Sequence, residues 1–135
     1  MMEGRQVGDK DSTTGPAGHA GSPGMIAEEL AARYLERHAL TIVARNYRCR
    51  GGEVDLICRD RRVLVFVEVR LRRSASHGGA AASITAAKQA RIALAAQHFL
   101  SSHGGREPDC RFDCIVLDAL SDAAIEWIRD AFSAA

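Results

Sequence analysis

Residues 51–73 read GGEVDLICRDRRVLVFVEVRLRR. Two β-rich runs flank the polar link Arg59-Asp60-Arg61-Arg62, which predicts a hairpin. Side chains alternate between the two faces of a strand. On the second run Glu68 and Arg70 therefore share a face. On the first, Glu53, Asp55 and Ile57 share one face, and Val54, Leu56 and Cys58 the other. A turn at Asp60-Arg61 sets Glu53 opposite Glu68, whereas a turn at Arg61-Arg62 sets Asp55 opposite Glu68. Both registers put Glu53, Asp55, Glu68 and Arg70 together, and a slip of one position would scatter them. Like charges across a hairpin repel, and acids inside apolar strands need a partner. A divalent cation would supply one. The alternative is pairing with the neighbouring arginines.

The rest of the composition frames that cluster. The 135 residues suffice for one domain with one core, and the hydrophobic content of 47% suits a globular chain. Net charge is only +1, yet its distribution is uneven. From Arg45 to Arg91 eleven bases face four acids, a local charge of +7. Bases around an acidic spot suit a metal-dependent phosphodiester site, with cations on the phosphates and acids on the metal. A merely solvated basic surface is the other reading. Cys49, Cys58, Cys110 and Cys114 form no CxxC pair, so reduced packing thiols in a cytoplasmic protein are expected, with no zinc site. No apolar run reaches membrane length, and the first residues lack a signal-peptide core.

Residues 1–23 are rich in Gly, Ser, Thr and Pro, and a disordered tail is expected before a single domain at 24–135. Helical spacing of Ile26, Leu30, Tyr34 and Leu35 predicts a helix over Met25–His38. Glu28 and Glu29 are placed in its first turn, where the helix dipole favours acids. Leu40–Arg48 reads as a strand leading into the hairpin. A Gly- and Ser-rich loop follows over 71–82, with Gly78 and Gly79. Ser83 is the expected N-cap of a helix running to about Ser102. Its apolar stripe is read around Ile84, Ala87, Arg91, Leu94, Ala95 and His98, broadened by Ile92, Phe99 and Leu100, with Lys88 and Arg91 three apart on one side. Cys110–Asp118 reads as a central strand buried on both faces, with Asp113 as a strand-edge acid. Ile125–Ile128 reads as an edge strand or helix start, with Trp127 and Phe132 covering the core. A mixed sheet flanked by helices closes this order.

GGEVDLI, then LVFVEVR with RR after it, then a lysine-bearing helix, RFD and a closing AF resemble the YraN family of bacterial proteins over about 24–132. That family is regarded as a predicted endonuclease, distantly similar to archaeal Holliday junction resolvases of the PD-(D/E)XK superfamily. The resemblance implies a restriction-endonuclease-like αβββαβ core. It implies that Asp55 and Glu68 hold Mg²⁺ or Mn²⁺, helped by the Val69 carbonyl and by Glu28 from the first helix. Arg70 stands where the superfamily has lysine, and Lys88 matches a further basic group on the helix. Glu53 belongs to the GEVDLI motif. A homodimer is implied by the resolvases, which cut paired strands.

The expected activity is hydrolysis of DNA phosphodiesters, on branched or duplex DNA, with RNA a further substrate. Arg70 and Lys88 would stabilise developing charge, and Arg48, Arg50, Arg72, Arg73 and Arg91 would track the nucleic acid. With only 5% aromatic residues, shape reading is favoured over base stacking. Arginine holds its proton where a lysine can release it, so a non-catalytic nucleic-acid-binding module of the same fold is the alternative. A protein-interaction adaptor with a structural acidic cluster is the third class.

Overall fold

The computed structural model describes residues 21–72, 84–103 and 109–133. Two helices and five strands follow in the order α1 (Pro23–Arg37), β1 (Thr41–Cys49), β2 (Gly52–Asp60), β3 (Val63–Leu71), α2 (Ala86–Ser102), β4 (Cys110–Leu117) and β5 (Ile125–Phe132). One sheet takes the strands in sequence order. β3 and β4 run parallel, and every other neighbouring pair is antiparallel. The parallel pair needs a crossover, which α2 provides. This is the mixed α/β sheet and the αβββαβ order that the sequence predicts.

β3 explains why the sheet is covered on both sides. Its residues Leu64 to Glu68 are all at most 4% exposed, the mark of a strand with no solvent face. On one face α1 lays Ala27, Ala31, Ala32 and Leu35 over Leu56, Cys58, Val65, Val67, Ile115 and Leu117. The alanines let that helix lie close. On the other face α2 packs Ile92, Ala95, Ala96 and Phe99 against Val54, Ile57, Leu64, Phe66 and Phe112. β4 is buried from Phe112 to Leu117, as expected of a central strand.

Several local expectations change. α1 starts at Pro23, capped by the Ser22 hydroxyl that accepts from the Met25 N–H. Its first turn therefore lies before Glu28 and Glu29, so the helix dipole is not what places them. Ser83, Gly78, Gly79 and Arg73 lie outside the described residues; the N-cap of α2 is Thr85, whose hydroxyl accepts from the Lys88 N–H at 3.1 Å. The buried stripe of α2 is the side of the expected one that holds Ile92, Ala95 and Phe99. Ala87, Arg91 and His98 are exposed, and Leu94 is 42% exposed, because Phe99 and Ile92 fill the space over Phe66. Ile125–Phe132 is a full edge strand paired to β4. Among the described residues no helix is long and apolar enough to cross a membrane.

Candidate metal and phosphate site

The hairpin register decides the site. Asp60 pairs with Val63 and Leu56 with Val67, so the turn is Arg61-Arg62, and the same register sets Asp55 opposite Glu68. Arg61 takes φ +60° in that turn. Of the two registers open in the sequence, the structure selects the one that faces the two metal-ligand candidates.

The alternation of β2 is not maintained along its length. Val54 packs with Ile57 on the α2 side, while Leu56 packs with α1. Strict parity puts Val54 with Leu56, so that expectation is corrected. The matching change on β1 is at Asn46, which has φ +48°. Ala44 and Tyr47, three apart, both join the α2-side cluster.

Asp55 and Glu68 meet inside this bend. The Val69 N–H donates to Asp55 Oδ2 at 2.8 Å, tying the carboxylate to the strand that carries Glu68. The two carboxyl groups lie within hydrogen-bond reach of each other. Glu68 is only 4% exposed. Burial, and then the neighbouring Asp55, push its pKa from 4.5 to about 8. Burial also raises Asp55. On the α1 side, burial followed by the Asp55 charge raises Glu28 from 4.5 to about 7. Three carboxyls that resist ionisation mark a place where desolvation and mutual repulsion outweigh the positive charge nearby.

One cation of the chain reaches the pair from α2. Lys88 Nζ lies 3.5 Å from Glu68 Oε2 and 3.4 Å from Glu53 Oε2. Burial alone would lower its pKa, but Glu68, Asp55 and Glu53 together raise it, so Lys88 is an ammonium at neutral pH. Arg91, one turn on, lies 3.6 Å from Glu53. Arg70 adds a further positive field at Glu68. Gly52 makes this approach possible. A Cβ there would stand 2.7 Å from the Arg91 carbonyl oxygen and 2.8 Å from the Ala95 nitrogen, so β2 can pass α2 this closely only without a side chain.

The site thus gathers Glu53, Asp55, Glu68, Arg70 and Lys88, with Val69 between them and Glu28 beyond Asp55. Arg48 and Arg50 are exposed at the end of β1. Arg72 is held by Asp118 at 2.8 Å. Glu29 bridges Arg33 and Arg45, both at 2.8 Å, and so pins α1 to β1. Among the described residues no three His, Cys, Asp or Glu side chains converge on one point. Two carboxylates are nonetheless hard oxygen donors of the kind Mg²⁺ accepts, and that ion keeps several waters of its own. The Asp55–Glu68 pair fits such an ion.

Asp113 is the residue whose importance the sequence does not reveal. It is 0% exposed, not an edge acid. It accepts from Arg111 Nε at 3.0 Å, from Trp127 Nε1 at 2.9 Å and from the Asp130 N–H at 2.9 Å. Arg111 in turn lies 3.1 Å from Asp60. The RFD run is thus a structural lock that fastens β5 to β4 and the hairpin tip to both. Burial pushes the Cys58 and Cys114 thiols up to about 12, consistent with packing roles.

A five-stranded mixed sheet between two helices, in αβββαβ order, makes this an α/β protein whose core is compatible with the restriction-endonuclease-like arrangement. The chain belongs to the uncharacterised protein family UPF0102, the YraN family, whose model matches residues 27–117. It is 54% identical over 129 residues to a UPF0102 protein of Dechloromonas aromatica, covering 96% of this chain and 98% of the relative. A UPF0102 protein of Nitrosomonas europaea is 52% identical over 113 residues, 84% of this chain and 95% of that one. One of Methylobacillus flagellatus is 55% identical over 108 residues, 80% and 94% respectively.

Proposed function

We propose that the protein is a metal-dependent endonuclease that hydrolyses DNA phosphodiesters, with Asp55 and Glu68 as the ligands of one Mg²⁺ or Mn²⁺. The observation that carries this reading is the buried meeting of those two carboxyls, both raised in pKa by burial, with Glu28 raised beside them. Such a pair is unfavourable unless a cation joins it. When bound, the ion would acidify a water and neutralise phosphate charge.

The chain's own groups supply the rest. Glu68 would give up the proton that it holds in the ion's absence, and Glu68 and Asp55 would bind the ion as carboxylates. Lys88, an ammonium on a flexible stem, would turn from Glu53 and Glu68 toward a phosphate. Arg70 would steady charge building on the scissile group. Arg48 and Arg50 flank the approach, in a stretch of net positive charge that draws nucleic acid. Branched or duplex DNA is favoured over single strands, because the site offers few free aromatic faces for stacking.

A second reading is favoured by one observation. Neither Arg70 nor Lys88 offers a neutral amine: the first is arginine and the second is held protonated by three acids. A chain that binds nucleic acid without cutting it would tolerate this. The two readings part in a cleavage panel of single-stranded, duplex, flapped and four-way DNA and of RNA, with Mg²⁺ or Mn²⁺. The endonuclease cuts, and Asp55→Asn or Glu68→Gln abolishes cutting; activity surviving both substitutions refutes the site. A binding module shifts DNA without metal and does not cut, and an adaptor protein does neither.

A further inference from the structure

The turn between β1 and β2 closes against the outer side of α2. Gly51 takes φ +83° there, and a Cβ on it would stand 3.1 Å from Leu94 Cδ2. Turn and helix leave a cleft of about 420 Å³, lined by Cys49, Arg50, Leu94, Gln97, His98 and Ser101. Clefts that take small ligands run from about 300 to 1,000 Å³.

The lining has a definite chemistry. It holds one permanent cation, Arg50, and no acid, so it attracts an anionic group. Leu94, a large apolar side chain left 42% exposed, supplies an apolar wall. The Tyr47 hydroxyl lies 2.5 Å from His98 Nδ1. That bond holds the imidazole in place from β1 and leaves Nε2 to meet a ligand. Ser101 Oγ donates to the His98 carbonyl at 3.1 Å, so its oxygen remains an acceptor. Gln97 is exposed and carries both a donor and an acceptor. A backbone phosphate would need only the arginine. An apolar wall beside several donors and acceptors suits a flat ring with a polar edge and an anionic attachment, which describes a nucleotide.

The cleft also continues the carboxylate site. Lys88 and Arg91 reach Glu53 from the same helix, and Leu94 and His98 follow along it. At about 1.5 Å per residue, Lys88 to Leu94 and His98 covers about 9–15 Å. One strand of a duplex advances about 3.4 Å per nucleotide, so the separation is about three to four nucleotides. A paired base has its edge engaged, and only a base outside the stack can offer it to a protein cleft.

We infer that the cleft between the β1–β2 turn and α2 is a subsite for one unpaired nucleotide of the DNA, with Arg50 on its phosphate, Leu94 against the ring, and Gln97 and His98 at the base edge. The inference rests on DNA as the substrate, proposed above, and narrows it to duplexes with an unpaired nucleotide near the bond that is cut, as flaps and junctions have.

The test is metal-free binding of the full chain to three fluorescent probes at one salt concentration: a blunt duplex, the same duplex with a short flap, and that flap made abasic. The wild-type chain binds the normal flap tighter than the blunt duplex by on the order of 10-fold, which one or two added hydrogen bonds supply, and the abasic flap loses this gain. Gln97→Ala and Leu94→Ala each bring the flap to the blunt-duplex level. Both leave blunt-duplex affinity and melting temperature unchanged, since both side chains are exposed. Equal wild-type affinity for flap and blunt duplex overturns the inference, as does a preference that survives both substitutions or the abasic flap. Metal-dependent cutting that persists in any of those cases leaves the endonuclease reading standing. A base-dependent preference in a chain that never cuts supports the subsite and refutes the endonuclease. Absence of DNA binding overturns both.

Discussion

Glu68 carries a heavy electrostatic penalty, and its sign can be worked out. In the unfolded chain the group titrates near 4.5, in the fold near 8. The folded state therefore holds the proton more tightly, and stability falls as pH rises through that window. Glu28, raised to about 7, adds in the same direction. Without divalent ions, the melting temperature should drop between pH 5 and pH 8, by an amount on the order of 5–10 °C for a few kcal/mol. Glu68→Gln should flatten that slope and melt above wild type at pH 8. Mn²⁺ should restore wild type at pH 8 and leave the variant unmoved. A wild-type melting temperature that is flat or rising over this range would contradict the burial assigned to Glu68. Arg70 gives a second test at this scale. It lies beside Glu68 on the same face and supplies charge, not a base, so Arg70→Lys should keep or raise cleavage. Complete loss in a folded variant would show that the planar guanidinium has a role an ammonium cannot fill.

At the scale of elements, the contact that assembles the site is the crossing of β2 beneath α2. Gly52 touches the backbone of that helix, and Lys88 and Arg91 are delivered to Glu53 from the same helix. Gly52→Ala has no room for its methyl, since the obstructing atoms are backbone. The helix must move off the strand, at a cost of about 1–3 kcal/mol, read as a lower urea midpoint. The movement should also separate Lys88 from the acids, so that Mn²⁺ affinity changes along with stability. Gly51→Ala is a useful comparison: its φ is +83°, so it is strained by conformation but does not wedge the helix backbone. The same element scale explains why only one side of the broad expected stripe of α2 is buried. Helical spacing defines several overlapping faces in an alanine-rich helix, and Phe66 on β3 selects which of them is buried.

For the whole molecule, net charge understates the field. A chain of +1 overall carries its positive excess on the strands and helix around the carboxylates. Affinity for DNA should accordingly fall steeply with salt, since each phosphate contact releases counterions. Arg48→Ala and Arg50→Ala should each weaken binding across all sequences and reduce the logarithmic salt slope by about 1, with melting temperature unchanged because both side chains are exposed. A slope unaffected by either substitution would place the nucleic-acid path elsewhere on the surface.

The sequence by itself determined the order of elements, the hairpin and the company of Asp55, Glu68 and Arg70, because side-chain period and turn chemistry are local and the acids stand out against apolar neighbours. It left two hairpin registers open; the choice between them depends on how β2 pairs along its whole length. Only the tertiary structure decided that Lys88 meets Glu68, that Glu29 pins α1 to β1 and that Asp113 is a buried lock, since each depends on partners 16 or more positions away or across a strand pair. Only it revealed the left-handed Asn46, which breaks the alternation on which strand reading relies. Periodicity describes a chain segment in isolation, whereas burial and charge pairing depend on which segments are brought together.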